Sequence, residues 1–228
     1  MRRRHFVIAQ FAATLVAARA VPALAQMGES ESMKSGKPLP TEQRFVNDAS
    51  RFVTSHYPST AAAKKAGFIQ FTAEDKTGAL SWADQKWNST DAQHPSEVWY
   101  DVEGRVIGAD YTLLQADSAT APERWGVDPR RWIKIRAHMH YGLRMPDGMV
   151  SYRGMSVAKF AAAGGSTQAP TKQMLVNAGV AKSSDDVAFV FYFPAIWDLQ
   201  LWVIPNPDGA FAEANPNVKP HNAEPHSM

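Results

Sequence analysis

The 228-residue chain has no cysteine at all. That absence removes disulfides, a thiolate nucleophile, a lipid-modified cysteine and any Cys-based zinc site, so stability must come from a packed core. Aromatic residues, 11% of the chain, can supply one. Several motifs are also missing. There is no G-x-G-x-x-G, no P-loop lysine motif, no G-x-S-x-G and no H-E-x-x-H, which removes the usual nucleotide, hydrolase and zinc-protease readings. No internal repeat is evident, and no strained Gly-flanked serine marks a nucleophile.

What is present begins with Met1-Arg2-Arg3-Arg4, an apolar stretch from Phe6 to Leu24, and Ala23-Leu24-Ala25, an A-x-A cleavage pattern. Gln10 and Arg19 interrupt the apolar stretch, so it reads as an address and not as a stable membrane anchor. Residues 1–25 are therefore expected to be a signal peptide, with the mature chain starting at Gln26. Arg3-Arg4-His5-Phe6-Val7 resembles the bacterial twin-arginine signal, although Arg2 stands where Ser or Thr is usual; a general secretory signal is the alternative. The expected location is periplasmic or extracellular in a bacterium.

Loss of residues 1–25 takes Lys plus Arg from 24 to 20 against 22 acids, moving the net charge from +2 to −2. The basic pI belongs largely to the signal, and no nucleic-acid partner is expected.

Residues 26–40 read as a flexible linker, polar with Gly and Pro, and residues 41–204 as a single α+β domain. Thr41 opens a helix with Phe45, Phe52 and Val53 on one face, ended by Tyr57-Pro58; a second runs from Ser59 to Ala66 and stops at Gly67. Strand composition then takes over, with a hairpin turn at Glu103-Gly104 and another at Pro146-Asp147-Gly148. Short helices are expected over Ser156 to Ala163 and Thr171 to Ala178. Val187 to Phe193, VAFVFYF, reads as a central strand buried on both faces, and DLQLWVI alternates Asp198, Gln200 and Trp202 against Leu199, Leu201 and Val203. Residues 205–228 read as a Pro/Asn-rich tail that only Phe211 and Val218 can dock. The sum is a largely antiparallel sheet with helices before and between the strands.

The most chemically suggestive stretch is RWIKIRAHMHYGL, Arg131 to Leu143. Read as one strand, it lines Trp132, Lys134, Arg136, His138 and His140 on one face, with Ile133, Ile135, Ala137, Met139 and Tyr141 on a core face. Two imidazoles aimed the same way can hold a divalent Fe, Mn or Zn if a neighbouring strand adds a carboxylate. Asp110 is the first choice, being an acid inside the strand pattern VIGADY; Glu97, His94 and Asp198 come after it. The other readings are an anion site built on Lys134, Arg136 and the histidines, and an ordinary solvated face. Four nearby methionines, Met139, Met145, Met149 and Met155, raise copper(I), but Met139 should point away from both histidines.

PSEVWYDVEGRVIGADY, Pro95 to Tyr111, resembles an uncharacterised group of exported bacterial proteins and, more distantly, the oil-body-associated-protein family. The resemblance rests on Glu97, Tyr100, Gly104, Gly108, Asp110 and Tyr111, and for the exported group also on NPDGAFAEANPNV, Asn206 to Val218. It implies kinship and no particular chemistry. Gln200 stands where the exported group tends to have His, and WADQKWN replaces an earlier His-Tyr segment, so a family site built on those histidines would be lost or relocated here. The expected function is binding of a small ligand or divalent metal, with Gln200 beside Lys134 and Arg136 as ligand contacts. The alternatives are a metal-dependent enzyme with a two-His-one-carboxylate site, and a structural or interaction module without a ligand. The sequence names neither substrate nor oligomeric state.

Overall fold

The computed structural model describes residues 35–115 and 120–221. The expected signal peptide, the first part of the linker and the last residues of the tail lie outside the described residues. Within them, helix α1 (Gln43–His56) buries Phe45, Val46, Ala49 and Val53, a spacing that keeps all four on one helical face. It ends at Tyr57 because Pro58 disfavours helical geometry in the residue before it. Helix α2 (Thr60–Lys65) is capped by the Ser59 hydroxyl, which accepts from the Ala62 N–H, and the chain leaves it through Gly67 at φ +94°.

The strands are β1 (Ile69–Gln70), β2 (Leu80–Ala83), β3 (Glu97–Tyr100), β4 (Val106–Leu114), β5 (Ile133–Ile135), β6 (His138–Arg144), β7 (Val150–Ser156), β8 (Val187–Phe193) and β9 (Ile196–Trp202). They form a six-stranded sheet in the order β1-β2-β3-β4-β9-β5 and a three-stranded sheet in the order β7-β6-β8. Every pairing is antiparallel. The short helices α3 (Val157–Ala162) and α4 (Lys172–Asn177) start at Ser156 and Thr171 as the sequence leads one to expect. The domain is α+β. No helix among the described residues is long and apolar enough to cross a membrane.

Side-chain alternation divides the interior into cores. On one side of the large sheet, Val98, Tyr100, Tyr111, Leu199 and Leu201 pack with Phe45 and Val53 of α1. Between the sheets lie Phe71, Ala83, Trp87, Phe191, Phe193 and Ile196. Beyond the small sheet, Met139, Tyr141 and Val187 pack on Phe160 of α3 and Leu175 of α4.

Four expectations are corrected. First, Arg131 to Leu143 is two strands: β5 edges the large sheet, β6 is the centre of the small one, and the chain crosses at Arg136-Ala137. Ile135 pairs with Ile196 and His138 with Phe193, so this crossing runs beside the one at Pro194-Ala195. The alternation does not carry across: Lys134 pairs with Trp197 on the α1 side, its ammonium 5.6 Å from the indole centre, whereas His138 and His140 face the inter-sheet core and Arg136 is exposed. Second, β8 is an edge strand, apolar on both faces because it is sandwiched between two cores, not between two strands.

Third, residues 35–40 are tied down: the Gly36 N–H donates to the Asp208 carbonyl at 2.7 Å, and Arg131 donates to the carbonyls of Ser35 and Lys37. Arg131 also forms a buried two-pronged pair with Glu42, both contacts 3.2 Å. Fourth, the tail docks more fully than its composition implies. Phe211, Ala212 and Asn215 are buried, and the Trp202 indole donates to the Ala212 carbonyl at 2.7 Å.

Candidate functional site

The face of the large sheet opposite α1 carries an unusual row. Register places Glu97 on β3 opposite Asp110 on β4, and Asp110 opposite Gln200 on β9; one step along, Thr112 faces Asp198. Because residues two apart share a face, Glu97, Asp110, Asp198 and Gln200 all project to the same side. Glu97 and Asp110 are each only 6% exposed and Asp198 3%.

The row is held from both ends. The Trp99 indole N–H donates to Asp110 Oδ2 at 2.7 Å. It reaches across β4 because residue 108 is glycine: a Cβ there would lie 2.2 Å from the Trp99 ring. At the other end, hydroxyls of Ser89, Ser96 and Thr112 bond one another, Ser89 to Ser96 at 3.0 Å and Thr112 to Ser96 at 2.6 Å.

Burial pushes the Glu97 and Asp110 carboxyls well above the usual carboxylate range, and the negative charge of Asp198 pushes them further. The two also interact directly, which favours one proton held between them. Asp110 Oδ1 and Gln200 Oε1 are buried and make no hydrogen bond of ordinary geometry.

Those two side chains, with Trp99 and Ser81, line a recess of about 160 Å³. Its rim is the 75–79 turn, knotted by Asp75 Oδ1 accepting from the Thr77 N–H and hydroxyl, and the exposed Lys76–Glu213 pair at 3.6 Å. A larger recess of about 470 Å³ lies at the β3–β4 turn. Its arginine, Arg105, is already bonded to Asp101 at 2.7 Å and Glu103 at 3.1 Å, and no buried polar atom there lacks a partner.

The histidines form a second cluster. His138 Nδ1 donates to the Arg136 carbonyl at 2.8 Å, which leaves Nε2 as its lone pair, and His140 Nε2 lies 2.7 Å from that atom. His140 therefore donates and keeps a free lone pair on Nδ1. His138 stacks on Phe193 and His140 on Phe191, with Phe71 edge-on. Burial lowers the pKa of both rings, that of His140 to about 3.

The residues singled out from the sequence thus fall into separate places. His138 and His140 meet each other; Asp110 sits with Glu97 and Gln200. Among the described residues no three His, Asp or Glu side chains converge as a metal set. His94 is on the surface, paired with Asp91 at 2.8 Å; the Lys134 side chain lies over Trp197, and Arg136, whose carbonyl accepts from His138, has an exposed side chain. Trp99, which in sequence reads equally as a pocket wall or as core, and Gly108, which clears the way for its ring, build the acid row. The available signal was an acid embedded in each of three strands, EVWY, VIGADY and IWDLQLW. No protein-family model, curated protein or solved structure matches the chain, so the row and the histidine pair are interpreted from their own geometry.

Proposed function

We propose that this is an exported binding protein for a small, positively charged ligand rich in N–H donors, such as a primary amine or guanidine, taken into the recess beside Asp110 and Gln200. The observation that carries the reading is the placement at the recess of Gln200 Oε1, a buried acceptor without a hydrogen bond, directly beside the Asp110 carboxyl, whose proton shared with Glu97 a cationic ligand can displace. A buried polar group left without a hydrogen bond costs about 1–3 kcal/mol, and a ligand N–H donated to Gln200 Oε1 recovers it. A positive charge also suits the site, since it offsets the repulsion among Glu97, Asp110 and Asp198 and lets the first two ionise. Trp99 supplies an aromatic wall. At roughly 30 Å³ per water, a 160 Å³ recess takes a ligand of a handful of heavy atoms. Export is supported by the signal-like residues 1–25.

Binding must release protons from Glu97 and Asp110, so affinity rises with pH up to their raised pKa values. Calorimetry of the mature protein with methylguanidine, ethylenediamine and the neutral analogue acetamide, in buffers of different ionisation enthalpy, tests this. The expected result is binding of a cation with proton uptake by the buffer, weakened at least about tenfold in Asp110→Asn and Gln200→Leu. Equal binding of acetamide, or no binding of either cation, overturns the reading.

A further inference from the structure

A cluster that the acid-lined recess leaves unused lies between the sheets. We infer that His138 and His140 form a two-coordinate site for a soft monovalent metal ion, copper(I), held by the two Nε2 atoms inside an aromatic box. This site is separate from the recess, and either reading stands without the other.

The first support is orientation. Metal-binding histidines commonly donate their second ring N–H to a carbonyl or carboxylate, which fixes the tautomer and aims the lone pair. His138 has that arrangement, Nδ1–H to the Arg136 carbonyl at 2.8 Å. The second is convergence: strand alternation sends both rings to one side of β6, and their Nε2 atoms meet at 2.7 Å.

The third support is the surroundings. Phe193 lies over His138 with ring centres 4.6 Å apart and Phe191 over His140 at 5.5 Å, while Phe71 meets His140 edge-on at 5.1 Å. Trp87 covers Phe193 at 4.3 Å. Zinc, iron or manganese would need further nitrogen or oxygen ligands or bound water, and a wall of phenyl rings offers none. Copper(I) suits imidazole nitrogen, carries a single charge, and is accommodated by aromatic faces. The methionines are not needed: Met139 and Met155 point into the core beyond the small sheet.

Loading conserves protons. The hydrogen that His140 Nε2 gives to His138 Nε2 moves, by way of solvent, to His140 Nδ1, which makes no hydrogen bond; both Nε2 lone pairs then bind the metal, with no change in oxidation state. With metal–nitrogen bonds of about 2 Å, the two Nε2 atoms must part by roughly 1 Å, which small ring rotations provide.

The test is titration of untagged mature protein with copper(I) under nitrogen, in competition with a coloured copper(I) chelator, followed by ¹⁵N NMR of the histidine rings. The expected result is one equivalent bound, with the Nε2 resonances of His138 and His140 shifted and the His140 proton now on Nδ1. Affinity should fall at least about 100-fold in His138→Asn and in His140→Gln, and stay unchanged in Met139→Leu. The NMR signature is read on the wild-type chain, so it decides the matter even if a variant misfolds. Unshifted Nε2 resonances at saturating copper(I), zinc binding as tight as copper(I), or full copper retention in both folded histidine variants each overturns the proposal.

Discussion

Asp110 is the residue on which the acid row turns. It receives the Trp99 indole N–H, shares a proton with Glu97, and lines the recess. Holding such a carboxyl between buried acids opposes folding at neutral pH, since an ionised group there is poorly solvated and repelled. Asp110→Asn keeps the acceptor for Trp99 and supplies a donor toward Glu97, so it should stabilise the empty protein by about 1 kcal/mol at pH 7 while weakening ligand binding. Urea unfolding in the absence of ligand checks this; a loss of stability would show that the carboxylate is already well compensated. Gly108→Ala should act in the opposite sense. Its Cβ would meet the Trp99 ring and the Leu201 carbonyl, so a cost of about 1–3 kcal/mol is expected, together with a changed Trp99 environment in fluorescence. Asp110 could be singled out from sequence because an acid inside VIGADY is out of pattern. Its partnership with Glu97 and Gln200 could not, because register between strands far apart in the chain is set by nonlocal packing.

Among the elements, the helices and turns were the most legible, since their signals are local: Ser59 and Ser156 as caps, Pro58 as a stop, Gly148 as a turn at φ +82°. The break between β5 and β6 has no such mark. Arg136-Ala137 contains neither Gly nor Pro, and the apolar alternation on either side reads straight through it. The N-terminal segment is equally deceptive, because what orders it is a distant arginine. Glu42 accepts from the N–H groups of Leu39 and Asp128 as well as from Arg131, joining the start of α1 to the loop before β5, and Arg131 lies over the Phe211 ring. Arg131→Met should therefore cost about 3–5 kcal/mol by stranding the buried Glu42 carboxylate, and adding Glu42→Leu should recover part of that loss. Denaturant midpoints of the single and double variants measure the coupling. Independence of the two substitutions would mean that the pair contributes little beyond its packing.

At the scale of the whole molecule, two buried titrating pairs oppose one another. The Glu97 and Asp110 pKa values are raised by folding, so their contribution to stability grows as pH falls from those values toward about 4, where unfolded carboxyls titrate. The His138 and His140 pKa values are lowered, so the folded state binds fewer protons and loses stability as pH falls below about 6.5, continuing for His140 to about 3. Where the two titration ranges overlap, the effects offset each other. The doubly substituted Glu97→Gln/Asp110→Asn protein should expose the histidine profile alone, losing up to about 1.4 kcal/mol per pH unit for each proton taken up on unfolding. Replacing both histidines by phenylalanine should reverse the slope. Unfolding midpoints from pH 7.5 to 4.5, in roughly half-unit steps, separate these cases.

The paired crossings at Arg136-Ala137 and Pro194-Ala195 have a consequence for how the chain can be divided. Were the backbone cut in the exposed turn between Asp147 and Gly148, the first piece would carry β1 to β6 and the second β7 to β9. The large sheet, otherwise built from the first piece, has β9 of the second inserted between β4 and β5; the small sheet, otherwise built from the second, has β6 of the first inserted between β7 and β8. Each half thus supplies an interior strand of the other's sheet. A nicked molecule should stay assembled without the covalent link, and neither fragment alone should hold its shape.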